Sequence, residues 1–171
     1  MAFEVETGSG SSTANSYLSV ADADTYHNDH SGSTDWNGAA TADKEKALRL
    51  ATQYLDIKHD GKWQGYRSNQ NQALAWPRSN VADNDGYYYG SDEIPQRLKD
   101  AVAELALRVI QGDTLLDDIS KPGTIKSKSV KAGPVQKTTE YVGGMYQVKK
   151  YPLIEGLIQH LIESTGCIER G

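Results

Sequence analysis

PQRLKDAVAELALRVIQG, residues 95–112, is the stretch that decides the fold of this chain. Leu98, Ala101, Val102, Leu105, Ala106 and Val109 return at helical spacing and make one continuous apolar face. Pro95 fits a helix start, where its missing N–H costs nothing, and Gly112 fits the stop. A face this apolar must be covered by other elements.

Working outward, three more segments carry helical signals. Ser19 is a good N-cap for a helix over Val20–His30, with Asp22 and Asp24 in the first turn, where the helix dipole favours acids. Residues 41–59 predict a second helix with Thr41 as N-cap, Asp43 and Glu45 early, and Lys58 and His59 late. Its apolar face is Ala47, Leu48, Ala51, Tyr54 and Leu55; Gly61 stops it, and Trp63 and Tyr66 are expected to fold back onto it. Pro152 opens a fourth helix with the stripe Leu153, Ile154, Leu157, Ile158, Leu161 and Ile162, closed by Gly166. Burying such side chains is worth roughly 1.5–3 kcal/mol each, so the stripe either completes the bundle or docks on a neighbour.

The remaining segments lack that period. Residues 1–18 are rich in Ser, Thr and Gly and read as a flexible or strand-like arm. Residues 31–40 read as a loop containing Trp36. Residues 77–94 are aperiodic, and loops beyond about 12–15 residues in compact domains are usually functional or disordered. This one carries Tyr87, Tyr88 and Tyr89. Within it, Asp83-Asn84-Asp85-Gly86 looks like a fragment of a calcium loop. Its twelfth position would be Ile94 instead of glutamate, so a plain turn is expected.

Residues 121–150 are of another kind. Seven lysines (121, 126, 128, 131, 137, 149, 150) face one acid, Glu140, giving a net +6. The whole chain is −5, so the rest sums to −11. Strands are expected at about 124–131 and 135–142, broken at Gly133-Pro134, with Gly143-Gly144 as a second turn. Such a segment cannot build a core from its own side chains. It is a solvated arm, or its partner surface lies on another subunit or a nucleic acid.

The predicted fold is therefore mainly α: a small bundle of three to four helices with a projecting β-hairpin or extended insert. The expected division is an arm (1–18), a bundle body (19–116), a basic β insert (117–150) and a C-terminal helix and tail (151–171).

With 171 residues and 37% hydrophobic side chains, a modest core is expected. Mean hydropathy is −0.62 and no run of about 18 apolar residues occurs, so no membrane span is expected. The first ten residues lack the basic and apolar regions of a secretory signal. The single cysteine, Cys167, has no disulfide partner in the chain and no histidine close to it in sequence. The acidic balance argues against a general duplex-DNA binder.

Catalytic motifs are missing. No Gly-rich phosphate loop, nucleophile elbow or His-Glu-x-x-His occurs, so no enzyme and no cofactor are expected. Asp24, His27 and His30 share a spacing that could gather ligands, but a solvated polar helix face is the simpler reading. Aromatic and basic residues mix in the insert: Tyr141, Tyr146 and Tyr151 accompany Lys137, Lys149 and Lys150. Single-strand binders combine such stacking rings with cations. Subunit interfaces are also rich in tyrosine, and the acidic remainder could receive the lysines of another copy. Assembly is the reading taken.

A family resemblance points the same way. Its elements are Ser19-Val20-Ala21-Asp22-Ala23-Asp24-Thr25-Tyr26, the Tyr54-Leu55-Asp56 helix end, Trp63 with Gly65, Leu74-Ala75-Trp76-Pro77-Arg78, and Ile94-Pro95 followed by Ala101-Val102-Ala103-Glu104-Leu105-Ala106. In this order they resemble the head-to-tail connector (adaptor or head-completion) proteins of tailed bacteriophages, some of whose relatives are labelled DnaT-like single-stranded DNA-binding proteins. The resemblance implies a structural neck protein in the virion, made in the host cytoplasm. It implies a ring of about twelve copies beneath the portal protein, touching tail or nozzle components, with DNA passing through unread. The residues expected at its interfaces are Lys126, Lys128, Lys131, Lys137, Tyr141, Tyr146, Tyr87, Tyr88, Tyr89, Leu153, Ile154, Leu157 and Ile158. The alternative is a single-stranded-DNA-binding replication accessory protein.

Overall fold

In the computed structural model, residues 2–30, 34–115, 124–131, 136–142 and 150–163 are described. The protein is mainly helical with a small antiparallel hairpin, as the sequence predicts. The elements run α1 (Val20–His30), α2 (Thr34–Gly38), α3 (Thr41–Lys58), β1 (Tyr66–Arg67), β2 (Arg78–Ser79), α4 (Gln96–Ile110), β3 (Thr124–Lys131), β4 (Gln136–Val142) and α5 (Pro152–Ile158), followed by a 3-10 turn (Gln159–Leu161). The chain divides into two compact units: Met1–Leu115 with Pro152–Gly171, and Leu116–Tyr151. The C-terminal helix is thus part of the helical unit.

Within that unit, α4 is the central helix. It packs on α1, α2, α3 and α5. Being covered from several sides, it buries Ala103 and Leu107 as well as the predicted Leu98, Ala101, Val102, Leu105 and Ala106. Val109, at the end of the face, is only half-buried. Pro95 is the N-cap, one position earlier than expected: its carbonyl accepts from Leu98 N (3.0 Å) and Lys99 N (3.2 Å). At the other end Gly112 takes φ +93, and Asp113 N reaches back to Arg108 O at 2.8 Å. That left-handed glycine closes the helix by turning the chain onto its own last carbonyls.

Other starts follow the same logic. Ser19 Oγ accepts from Asp22 N at 3.1 Å, the predicted cap of α1. Helix α3 begins at Thr41 with Ala40 as its cap residue, so the predicted Thr41 cap is displaced by one. The loop expected at 31–40 contains a helical turn, α2, too short to show a period. Trp36 on α2 is fully buried, its Nε1 donating to Asp24 Oδ1 at 2.7 Å.

The N-terminal segment is not a loose arm. Glu6 is buried, and its carboxylate accepts from Gly8 N (2.8 Å), Gly10 N (3.0 Å) and Ser11 N (2.8 Å). Gly8 and Gly10 both have positive φ, so the backbone can curl its N–H groups inward onto one anion. The same residues that look flexible in sequence are those a tight concave loop requires. Beyond it, Tyr17 is buried and its hydroxyl donates to Asp56 Oδ1 at 2.7 Å.

The C-terminal stripe mostly completes the bundle. Ile154, Ile158 and Leu161 are buried, Leu157 is half-buried and Leu153 is exposed. The helix ends earlier than predicted because Ile162 turns extended and bridges Trp63, with Gln64 N to Leu161 O at 3.0 Å and Glu163 N to Lys62 O at 2.8 Å. The predicted stop at Gly166 lies outside the described residues.

Glu6→Ala leaves three inward-facing N–H groups without their anion. Hydrogen bonds to charged groups are worth about 1.5–3 kcal/mol each, with strong non-additivity, so a loss of about 3 kcal/mol is expected in urea unfolding. The exposed Ser12→Ala should leave the midpoint unchanged.

Candidate nucleic-acid interface

The hairpin carries the predicted lysines. Its strands are rich in β-branched residues, Thr124, Ile125, Val130, Thr138, Thr139 and Val142, which suit a pleated backbone. β3 and β4 pair antiparallel, with Lys131 opposite Gln136, Val130 opposite Lys137, Lys128 opposite Thr139 and Ile125 opposite Tyr141. The register shifts between Ile125 and Ser127, so Lys126 is the extra residue of a bulge, a feature that strengthens local twist. Lys126, Lys128, Lys131, Lys137 and Tyr141 therefore all stand on one two-stranded ribbon. Tyr146 lies outside the described residues.

The other predicted interface residues separate. Tyr87 and Tyr88 are 74% and 70% exposed. A tight turn presents them: Asp83 Oδ1 accepts from Asp85 N and Tyr87 N, both at 2.9 Å, and Asp83 N donates to Tyr87 O at 2.8 Å. Tyr89 is half-buried, its hydroxyl 3.2 Å from His160 Nε2. Residues 79–96 hold Asp83, Asp85, Asp92 and Glu93 but no lysine or arginine, so the segment is acidic, with Arg97 just beyond it acting on Tyr89. Ile154 and Ile158 are buried in the helical unit and are not available to a partner; of the four C-terminal candidates, Leu153 alone is fully exposed.

The sequence reading missed a cleft of about 660 Å³ on the helical unit. Asp56 and Ile57 at the end of α3, Trp63, Tyr66 and Arg67 on β1, and Leu74 line it. Tyr66 is 64% and Ile57 58% exposed. Gly65, with φ +63, sets the turn into β1; a Cβ there would lie 2.1 Å from Ser79 O. Arg78 ties the ribbon down by donating from Nε to Gln64 O (2.6 Å) and from Nη2 to Gly65 O (2.7 Å). Two exposed apolar side chains next to an arginine are invisible to periodicity, because β1 is only two residues long.

Several titratable groups are buried. Burial pushes Asp56 up to about 6, against the hydrogen bonds it accepts from Tyr17 and Ala75 N. Burial also holds His27, His59 and His160 below the ordinary histidine value of 6.5. Burial alone would raise Asp24, but hydrogen bonds from Lys44 and Trp36 win and hold its carboxyl low. These contacts also account for the possible ligand trio. Asp24 serves Lys44 and Trp36, His27 packs 4.7 Å from the Trp36 ring, and His30 stacks on Tyr26 at 4.2 Å. Among the described residues no group of three or more His, Cys, Asp or Glu is placed to hold a metal.

Comparison with known proteins follows from this geometry. The family described as "Putative DnaT-like ssDNA binding protein" matches residues 1–171. The chain belongs to that family. No curated protein and no solved structure matches it. The head-to-tail connector expected from the resemblance is overturned by this match, which covers the whole chain and supports the alternative reading instead. The portal, tail and ring partners expected with the connector have no support, while a DNA partner is compatible with the family. The packing residues that carried the resemblance describe a bundle; they do not specify what the bundle binds.

A pH dependence of stability follows from the buried groups. A histidine lowered in the folded state binds its proton more readily when unfolded, so its contribution is full above 6.5 and is lost as pH falls. Asp56, raised in the folded state, works the other way: its contribution is full below the unfolded carboxylate value and is lost as pH rises through about 6. Three histidines pull in one direction against this one carboxyl, and Asp24, held low in the folded state, adds to the loss at lower pH. Unfolding midpoints in urea should fall steadily from neutral pH to about pH 5; a rising midpoint would contradict this balance.

Proposed function

We propose that this protein binds single-stranded DNA, with the β3–β4 ribbon as its electrostatic contact. The observation that carries the reading is the placement of Lys126, Lys128, Lys131 and Lys137 on one hairpin, in a segment of net +6 within a chain of net −5. Membership of a family described by single-strand binding supports it. Lysines that neutralise phosphates release condensed counterions, which makes affinity large at low salt and steeply salt-dependent. The remaining −11 disfavours a polyanion over most of the rest of the chain, so the basic segment is the main electrostatic anchor for a strand. Tyr141, opposite Ile125 on the same ribbon, offers an aromatic ring of the kind on which unpaired bases stack.

The test is fluorescence anisotropy of a labelled single-stranded oligonucleotide across a salt series. Binding at low salt that weakens as salt rises is expected. Replacing Lys126, Lys128 and Lys131 together by alanine should weaken binding and reduce the slope of log K against log salt by about 2, at about 0.7 per phosphate contact on a single strand. No binding at low salt would remove the proposal.

A further inference from the structure

We propose that the cleft between the end of α3 and the β1–β2 ribbon seats one unpaired nucleobase, stacked on Tyr66 and hydrogen-bonded through an amino group to Asp56. This rests on the single-strand reading above but uses different residues, on the helical unit.

Four observations converge on that occupant. The cleft, at about 660 Å³, falls within the range of small-ligand sites, about 300–1,000 Å³. Its mixed lining includes Tyr66 and Ile57, two of the large apolar side chains that this protein leaves in water. An unpaired base offers two apolar faces and a polar edge, which matches a lining of that mixed character.

Asp56 also lines the cleft and is the more deeply placed group. Each of its oxygens accepts one hydrogen bond, Oδ1 from Tyr17 and Oδ2 from Ala75 N. A carboxylate has about four acceptor positions, so capacity remains on the cleft side. Above pH of about 6 the group is ionised and can only accept, so its partner must be a donor. Adenine, cytosine and guanine carry exocyclic amino donors; thymine offers only its N3–H, flanked on both sides by carbonyl oxygens that a carboxylate repels.

The exposed Arg67 spends one N–H on Gln72 O at 3.3 Å and keeps its other donors for a phosphate. Asp60, on the same cleft, repels phosphate and leaves the Arg67 side to the backbone. The tyrosine pair at Tyr87 and Tyr88 lacks both features: it has acids around it and no arginine or lysine in its segment.

The experiment uses the full chain, short homopolymers of each base, and free dGMP and dTMP followed by NMR of the tyrosine ring signals. Wild type should bind the thymine homopolymer more weakly than the other three. Tyr66→Ser should weaken those three about tenfold, within the range of one lost base–aromatic stack, and Tyr66→Phe should restore them. The aspartate is tested second with Asp56→Asn, which should narrow the gap between cytosine and thymine. If it unfolds, the tyrosine pair of variants still decides. Equal binding of all four homopolymers, or a Tyr66→Ser variant that binds as wild type, overturns the proposal. If no homopolymer binds but dGMP shifts the Tyr66 ring signals and dTMP does not, the strand-binding reading fails and the base seat stands. If neither mononucleotide shifts them and no homopolymer binds, both fall.

Discussion

One half-buried carboxyl group, Asp56, constrains the irregular half of the helical unit. It sits at the end of α3, where the helix has finished its regular work, and gathers three distant parts of the chain. Tyr17 donates to one oxygen and the Ala75 backbone to the other; Trp76 N in turn donates to the Tyr17 hydroxyl at 3.1 Å. The N-terminal segment, the long helix and the stretch before Pro77 are thereby joined at one point. Trp76, which is fully buried, and Arg78, which holds the carbonyls of residues 63–65, follow immediately in the chain. A carboxylate among apolar neighbours is costly unless its lone pairs are satisfied, so these segments are held by the penalty for leaving as much as by the contacts themselves.

The regular and irregular parts of the fold divide the labour. Helices α1, α3, α4 and α5 supply apolar burial, with α4 as the shared surface. The irregular segments supply polar geometry: a nest of N–H groups around Glu6, the Asp56 junction and the guanidinium staple of Arg78. The net charge divides as well: residues 121–150 carry +6, seven lysines against one acid, while the rest of the chain sums to −11. A polyanion meets its strongest attraction on the ribbon and a net repulsive charge over the rest of the chain, which orients its approach.

The helices were legible because their signal is local and repeated. Leu98 to Ala106 could be read as a buried face, and Ser19 as a cap, from spacing and side-chain chemistry alone. The hairpin was legible, as strands at about 124–131 and 135–142, from the break at Gly133-Pro134. What escaped was non-local. Nothing in the order Gly8-Ser9-Gly10-Ser11 says that Glu6 fills it, and nothing in Asp56 says that Tyr17 reaches it from 39 positions away. The Tyr66 cleft was equally hidden, since its walls come from three segments that show no common period. The resemblance to connector proteins failed for a related reason: helical packing residues report on a scaffold, and many activities share one scaffold.

The placement of the basic unit inside the sequence of the helical one has a consequence for how such chains diversify. Helix α5 must close on α4 whatever the intervening segment contains, and lengthening a connecting segment is cheap: each doubling adds only about 0.6 kcal/mol of closure entropy. Residues 116–151 therefore form an exchangeable cassette. Its length, charge and aromatic content can change without touching the packing of α4 on α1, α2, α3 and α5, so binding behaviour and foldability answer to different residues.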